Sequence, residues 1–173
     1  MKLALRLLVI SDTHIPGRAK YLPQILIDEL VKADYVIHAG DYTVPQVLDS
    51  LDKFFHFTGV AGNNDGPEIQ SRLGNKTVIE LGGFRIGIVH GDLGTAKTTL
   101  DRALEAFDGE ELDLLIFGHS HIPYLKRHGE MWVMNPGSPT DRRKNLYYSF
   151  GIVELKKQLD PELISFGKTS SVS

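Results

Sequence analysis

The sequence contains no cysteine. This absence excludes disulfide bonds, thiolate zinc sites, iron–sulfur clusters and thiol nucleophiles. Any metal ion bound by the chain must therefore be held by histidine, aspartate, glutamate or asparagine side chains.

The chain also lacks an excess of positive charge and an apolar segment of membrane-spanning length. Its 19 lysines and arginines stand against 22 aspartates and glutamates, and the resulting net charge of −3 argues against a nucleic-acid platform. The N-terminal apolar stretch, 3–10, contains Arg6, is shorter than a bilayer span and is followed by no signal-peptide cleavage site. We therefore expect a cytoplasmic protein with no membrane partner, and self-association into a homo-oligomer is left open.

What is present is the composition of a globular domain. The 173 residues are 42% hydrophobic and 24% charged, which supplies enough apolar surface for a sizeable core. The length suits one domain, and no repeat or linker divides the sequence. We predict a single domain over residues 1–168 and a frayed, serine-rich tail over 169–173.

The hydrophobic pattern alternates between strands and helices in the first half of the chain and then changes. It predicts strands over 3–10, 35–39 and 54–60, with helices over 22–32 and 44–51 between them. It then predicts a hairpin over 76–81 and 84–89, a helix over 95–107 and a buried strand over 112–117. Four short strands are predicted over 124–126, 131–134, 147–155 and 163–166. Crossovers followed by hairpins require two sheets or one mixed sheet. We expect an α/β fold with two sheets packed face to face between helix layers.

Polar residues able to bind metal follow five of the predicted strands. They are Asp12 with His14, Asp41, Asn63, His90, and His119 with His121. The carboxyl ends of strands line the ligand crevice of α/β sheets, so these side chains can converge although they are far apart in sequence. The i, i+2 spacing within each pair predicts that both side chains point the same way and form a bidentate clip.

A set of oxygen and imidazole ligands of this size suits two ions with one carboxylate between them. Such ligands favour Mn, Fe, Co, Ni or Zn, whereas Mg rarely recruits so many histidines. Two ions about 3.5 to 4 Å apart stabilise both the attacking and the leaving oxygen of a phosphoryl displacement. The pattern therefore predicts hydrolysis of a phosphate ester.

Five short motifs, in order along the chain, resemble those of the calcineurin-like metallophosphoesterase superfamily. They are Asp12-x-His14, Gly40-Asp41, Gly62-Asn63-x-Asp65, His90-Gly91 and Gly118-His119-x-His121. The later segment Asn135-Pro136-Gly137-Ser138 and the short length resemble the small bacterial and archaeal phosphodiesterase branch. The resemblance implies a four-layer α/β/β/α sandwich with two mixed β-sheets. It also implies a cofactor of two divalent metal ions, with Mn as the first expectation and Ni, Fe, Co or Zn as alternatives.

Carried over position by position, the resemblance implies a role for each ligand. The first ion would be held by Asp12, His14, Asp41 and His121. The second would be held by Asp41, Asn63, His90 and His119, with Asp41 as the bridge. The implied reaction is hydrolysis of a small phosphate ester by in-line attack of a metal-bridging hydroxide.

Asn64 is a departure from the superfamily pattern. Many members carry a histidine there that is thought to protonate the leaving group or to bind phosphate, and an amide cannot donate a proton with a useful pKa. With Asp41 and Asn64 as the candidate catalytic residues, we expect a phosphodiesterase whose leaving groups need little protonation, and Asp65 is expected to orient its loop. The alternatives are a phosphomonoesterase of the same fold and a non-catalytic scaffold like the related retromer subunit.

Residues outside the ligand set carry further hypotheses. His38 lies inside a predicted strand and is either a structural histidine or a support for the nearby Asp41. The segment 135–138 is either a tight turn or a loop whose N–H groups meet phosphate. Arg18, Lys20 and the run 142–144 are either solvated surface charges or attract an anionic substrate.

Overall fold

The structure, a computed structural model, describes residues 4–167. The strands are β1 (Leu5–Ile10), β2 (Tyr35–His38), β3 (Phe57–Gly59), β4 (Lys76–Leu81), β5 (Phe84–Val89), β6 (Leu114–Ile116), β7 (Tyr124–His128), β8 (Met131–Asn135), β9 (Tyr148–Leu155) and β10 (Leu159–Phe166). The helices are α1 (Gln24–Lys32), α2 (Pro45–Phe54), α3 (Pro67–Arg72) and α4 (Thr99–Ala106). Within residues 4–167, no helix combines the length and the apolar character needed to cross a bilayer. The predicted tail, 169–173, lies outside the described residues.

The strands form two mixed five-stranded sheets, as predicted. The first has the order β10-β9-β1-β2-β3, with β1, β2 and β3 parallel and β9 antiparallel to β1. The second has the order β4-β5-β6-β8-β7, with β5, β6 and β8 parallel and the two edge strands antiparallel to their neighbours. The crossovers of the first half therefore all lie in the first sheet, whereas the hairpins of the second half are distributed over both sheets.

The two sheets face each other across a buried apolar layer. Leu7 and Val9 of β1 belong to one cluster with Ile86 and Ile88 of β5 and Ile116 of β6, and all five are fully buried. Alternate residues of a strand point to opposite faces of its sheet, so one face of each sheet supplies this layer. Full burial of an aliphatic side chain of this size is worth about 1.5 to 3 kcal/mol.

The outer faces of the two sheets are covered by helices. Leu8 of β1 lies in a second cluster with Leu26 of α1 and Leu48 of α2. A third cluster joins Leu115 of β6 to Ala103 of α4. The layers are therefore helix, sheet, sheet and helix, which confirms the predicted α/β/β/α sandwich.

The turn between β4 and β5 lies where the two-glycine pattern predicts it. Gly82 and Gly83 both have positive φ, 58° and 85°, as the tight turn of a two-residue hairpin requires. The register pairs Leu81 with Phe84. The predicted boundaries of both strands are confirmed.

Helices α1 and α2 lie within three residues of their predicted bounds, and the other two differ more. The six residues of α3, with Pro67 in the first turn and Ile69 as the single buried side chain, are too short to show a helical period, and the sequence pattern missed them. Helix α4 begins at Thr99 and not at residue 95. The Thr98 side chain accepts a hydrogen bond from the Asp101 N–H at 3.0 Å, so it caps the helix at that point.

Strand β10 begins four residues earlier than the sequence predicts. Pro161 lies inside it, opposite Val153 of β9. Proline removes a ladder donor, which argues against a strand in a sequence reading. The strand tolerates it because β10 is the edge of its sheet.

The loops that follow the parallel strands meet at one edge of the sandwich. Asp12 N–H donates to the Gly40 carbonyl at 2.9 Å, which joins the loops after β1 and β2. Gly118 N–H donates to the His90 carbonyl at 2.9 Å, which joins the loops after β5 and β6. His119 N–H donates to Asp12 Oδ2 at 2.9 Å, which joins the two sheets. The strand ends that carry the predicted ligands are therefore adjacent.

Candidate metal centre

The backbone turns sharply wherever a predicted ligand follows a strand. Seven non-glycine residues within 4–167 have positive φ, and five of these are predicted ligands: Asp12 (56°), His14 (45°), Asp41 (65°), His119 (68°) and His121 (61°). The left-handed region is costly for residues that carry a Cβ atom, and such strain concentrates at functional sites. The rest of the fold holds these residues in conformations that local preference disfavours.

Two glycines allow the ligand loops to approach closely. A Cβ atom on Gly40 would lie 2.6 Å from His90 Nδ1, and Gly40 itself has φ of 106°. A Cβ atom on Gly118 would overlap Ser11 Oγ and lie 2.7 Å from Asp12 Oδ2. A side chain at either position would collide with a neighbouring ligand loop, so both motif positions require glycine.

The first ligand group consists of Asp12, His14 and His121, all buried. The Nε2 atoms of His121 and His14 lie 3.4 Å and 3.8 Å from Asp12 Oδ1. These three atoms are buried, and none has a hydrogen-bond partner among residues 4–167. Buried polar atoms that converge without partners are rare in proteins, and an oxygen with two imidazole nitrogens suits a divalent cation. The residues present therefore fit a metal ion.

The second ligand group lies beside the first. Asp41 Oδ2 is 3.4 Å from His90 Nε2, and Asn63 Oδ1 is 3.1 Å from the same nitrogen. Asn63 Oδ1 is also 3.0 Å from His119 Nδ1. Asp41 and His90 are buried, whereas Asn63 is exposed. This group therefore forms the side of the centre that is open to solvent.

The two groups share their carboxylates. Asp41 Oδ2 lies 3.4 Å from His14 Nε2 as well as from His90 Nε2. Asp12 Oδ1 lies 3.7 Å from His90 Nε2 and is common to both three-residue sets that can hold a cation. The seven predicted ligands thus form one continuous cluster.

His119 and His121 do not act as a clip on one position. The His121 ring lies 5.1 Å from that of His14, and the His119 ring lies 5.1 Å from that of His90. The prediction assumed an extended strand end, in which residues i and i+2 point the same way. Neither residue has the extended conformation, since φ is positive at both, and the pair spans both groups.

Backbone carbonyls fix the orientation of two imidazoles. His90 Nδ1–H donates to the Ala39 carbonyl at 2.7 Å, and His121 Nδ1–H donates to the Asp141 carbonyl at 2.6 Å. In each ring the other nitrogen, Nε2, then faces the carboxylates. This is the usual support for a metal-binding histidine.

The charges of the cluster shift its pKa values strongly. Burial disfavours the charged forms of Asp12 and Asp41, but the facing histidines outweigh it and lower the pKa of both carboxyls. Burial also disfavours the charged forms of His14 and His90, but the two carboxylates outweigh it and raise the pKa of each histidine to about 9. The cluster therefore attracts positive charge, and a divalent ion would displace the histidine protons.

Asp65 and Asn64 hold Asp41 in place. The Asp65 carboxylate accepts hydrogen bonds from the backbone N–H groups of Asp41 (2.9 Å), Gly62 (2.8 Å) and Thr43 (2.9 Å), which is the loop-orienting role expected of it. Asn64 donates from its backbone to Asp41 Oδ1 at 2.9 Å and from its amide to Oδ2 at 2.8 Å. The amide thus lies against the candidate bridging carboxylate.

His38 joins two of the ligand loops through its ring nitrogens. Gly40 N–H donates to His38 Nδ1 at 3.1 Å, so Nε2 carries the proton and donates to Thr13 Oγ1 at 3.0 Å. Burial lowers the pKa of His38 to about 3, so the ring is neutral. It connects the loop after β2 to Thr13, which lies between two ligands.

The segment 135–138 braces the ligand loops. Ser138 Oγ donates to the Asp12 carbonyl at 2.8 Å, and Asn135 Nδ2 donates to the Gly118 carbonyl at 3.0 Å. The Gly137 N–H donates to Asn135 Oδ1 at 2.9 Å, so this N–H is used within the segment. Sequence reasoning left its role open because backbone acceptors carry no residue signature, and it missed the Asp141 carbonyl for the same reason.

Comparison with known proteins matches the sequence of this chain to a family model. Residues 5–158 match the model described as calcineurin-like phosphoesterase superfamily domain. The probable metallophosphoesterase MJ0623 of Methanocaldococcus jannaschii is 38% identical over 134 residues, which cover 76% of this chain and 67% of that protein.

Three solved structures have the same fold. Vacuolar Protein Sorting 29 from Cryptosporidium parvum has a TM-score of 0.75 and 22% identity, over 96% of this chain and 100% of that chain. Vps29 from Entamoeba histolytica, solved as a zinc complex, has a TM-score of 0.67 and 26% identity, over 94% and 100%. A novel archaeal phosphodiesterase has a TM-score of 0.69 and 23% identity, over 94% and 100%. Because the family model spans most of the sequence and the archaeal relative is more than a third identical, the chain belongs to the calcineurin-like phosphoesterase superfamily.

Proposed function

We propose that this metallophosphoesterase is a dinuclear phosphodiesterase that uses Mn. The first ion would be held by Asp12, His14, Asp41 and His121. The second would be held by Asp41, Asn63, His90 and His119. The cytoplasmic location stays a prediction.

The position of Asp41 Oδ2 carries the proposal. This oxygen is 3.4 Å from His14 Nε2, which belongs to the first ligand group, and 3.4 Å from His90 Nε2, which belongs to the second. The Asp41 side chain is 1% exposed, Asn64 donates to both of its oxygens, and Asp65 accepts from its backbone N–H. One rigid carboxylate oxygen between two imidazole nitrogens is suited to bridge two ions.

The residues of the cluster divide the work between binding and orientation. When bound, two divalent ions lower the pKa of water and offset the charge that develops on the phosphoryl oxygens. The buried first group excludes solvent on its side. The exposed Asn63 and the partly exposed His119 border the open side, where a phosphate ester reaches the centre.

Asn64 supports a preference for diesters with good leaving groups. Its amide donates a hydrogen bond to Asp41 Oδ2 but cannot transfer a proton to a leaving group near neutral pH. A general acid typically contributes about 10² to 10⁴ in rate, so esters with basic leaving groups lose that factor here. The similarity in fold to an archaeal phosphodiesterase is in keeping with this substrate class.

The test compares two chromogenic esters on chelator-stripped protein reloaded with Mn. We expect turnover of bis(p-nitrophenyl) phosphate with a higher kcat/KM than that of p-nitrophenyl phosphate. Asp41→Ala and His90→Ala should abolish turnover, whereas Arg72→Gln, a change at an exposed ion pair with Asp49, should leave it unchanged. Wild-type rates in Asp41→Ala would remove the two-ion model, and a faster monoester rate would assign a phosphomonoesterase.

A non-catalytic scaffold is the second candidate, because two of the similar folds belong to Vps29 proteins. Metal binding alone does not separate the candidates, since the Entamoeba histolytica protein was solved with zinc. Turnover does. Stoichiometric metal without hydrolysis of either ester, with Mn or with Zn, would favour the scaffold.

A further inference from the structure

Arg18 is held at the rim of the first ligand group by two contacts. Its backbone N–H donates to the His14 carbonyl at 2.8 Å, and its Nε lies 3.4 Å from Asp141 Oδ2. Asp141 in turn contacts His121, whose Nδ1 is 2.6 Å from the Asp141 carbonyl and 3.8 Å from Asp141 Oδ2. One carboxylate oxygen therefore lies between the guanidinium of Arg18 and the imidazole of a proposed ligand.

The guanidinium of Arg18 is available to a ligand from solvent. Its side chain is 68% exposed, and Asp141 is the only acidic side chain within ion-pair distance of it in residues 4–167. The neighbouring Arg142 differs, because it donates to the Asn145 carbonyl at 2.7 Å and lies over the Tyr148 ring. Arg18 is therefore oriented by one carboxylate and keeps most of its planar set of N–H donors, which matches the geometry of a phosphate group.

The loop that carries Asp141 adds two more cations to this rim. Arg143 and Lys144 are both exposed, and the Arg143 N–H donates to Asp141 Oδ1 at 3.4 Å. Arg18 thus contacts Asp141 directly, whereas Arg143 and Lys144 follow Asp141 by two and three residues in the same loop, on a chain whose net charge is −3. We name Arg18, Arg143 and Lys144 the basic rim.

We propose that the basic rim binds a second phosphate group of the substrate, with Arg18 as its central residue. The substrates are then small phosphate esters that carry another phosphate beside the scissile one. This inference rests on the proposed function, because the two ligand groups are what hold the scissile phosphate. A substrate with a single phosphate reaches the ligand groups but leaves the Arg18 donors unused.

A matched pair of sugar phosphates tests the proposal by calorimetry on the Mn-loaded protein. Fructose 6-phosphate carries one phosphate, and fructose 1,6-bisphosphate carries two. We expect the wild-type protein to bind the bisphosphate at least about tenfold more tightly than the monophosphate, as a charge-assisted, bidentate contact can supply. Arg18→Gln should reduce this ratio to about one. Arg18→Lys should retain part of it, because lysine keeps the charge and loses the planar pair of donors.

Arg85→Gln is the control with the same change in net charge. Arg85 pairs with Glu80 at 4.0 Å and lies near the start of β5, at the opposite end of that strand from His90, so the ratio should keep its wild-type value. Equal dissociation constants for the two sugars in the wild-type protein, or a tenfold ratio that persists in Arg18→Gln, would overturn the proposal. Hydrolysis of bis(p-nitrophenyl) phosphate by the same wild-type preparation reports separately on the proposed function.

Discussion

Replacing Asp41 by asparagine keeps the shape of the side chain and removes the charge that both ligand groups share. Because Asp41 Oδ2 faces His14 and His90 at 3.4 Å each, the substitution weakens the binding of both ions at once. His121→Asn changes a residue of the first group only. The two variants therefore separate a bridging carboxylate from an ordinary ligand.

The size of the effect follows from linkage. An ion that binds only the folded state stabilises it by about 2.7 kcal/mol when its free concentration is 100 times Kd. For a chain of 150 to 250 residues, about 1 kcal/mol shifts Tm by roughly 2 to 4 °C. One ion should then raise Tm by about 5 to 11 °C and two ions by roughly twice as much.

Scanning calorimetry of chelator-stripped protein, with and without Mn, measures this directly. The wild-type protein should show the two-ion shift, His121→Asn about half of it, and Asp41→Asn almost none. Asp160→Asn removes an exposed carboxylate of β10 that is 70% exposed and should keep the full shift. A half-size shift in Asp41→Asn would show that this carboxylate serves one ion, and the bridging argument would be refuted.

Three further predictions follow from the site. Metal-free protein should lose stability as pH rises from about 6.5 towards 9, because His14 and His90 have a pKa raised to about 9 and their protonated forms stabilise the fold only below it. Urea unfolding across that range should show this loss without Mn and not with it. A free energy of unfolding that does not change with pH in the metal-free protein would contradict the raised pKa values. Asn64→His should raise kcat/KM for phenyl esters by about 10² or more relative to p-nitrophenyl esters, because an imidazole can protonate the poorer leaving group; an unchanged ratio contradicts it. Ser138→Ala should lower the free energy of unfolding by about 1 to 3 kcal/mol, because it removes the hydroxyl that donates to the buried Asp12 carbonyl. A decrease below about 0.5 kcal/mol in chemical denaturation would contradict the proposed support of the Asp12 loop by Ser138.

The elements that the sequence predicts well are those with a strong local signal. The hairpin of β4 and β5 combines apolar alternation with the Gly82-Gly83 pair, and both signals agree with the fold. Helix α3 and the first half of β10 lack such a signal. Only Ile69 is buried in α3, and Pro161 interrupts the pattern of β10. Tertiary packing and an edge position decide these segments, and neither is visible in the local sequence.

The candidate site could be located from the sequence because the predicted ligands lie in the loops that follow apolar strands. What the sequence could not supply is the direction of each side chain. His119 and His121 lie in different groups, and both residues adopt positive φ, which residue type does not predict for histidine. Supporting contacts to backbone atoms, such as His121 to the Asp141 carbonyl, likewise depend on loops that only the folded chain brings together.

Anomalous diffraction from crystals of the Mn-loaded protein at neutral pH locates the bound ions and shows whether Asp41 is shared between two of them. We expect two Mn peaks, both within bonding distance of Asp41, one beside His14 and His121 and the other beside His90 and His119. A single peak, or two peaks of which only one contacts Asp41, would contradict the bridging role of Asp41.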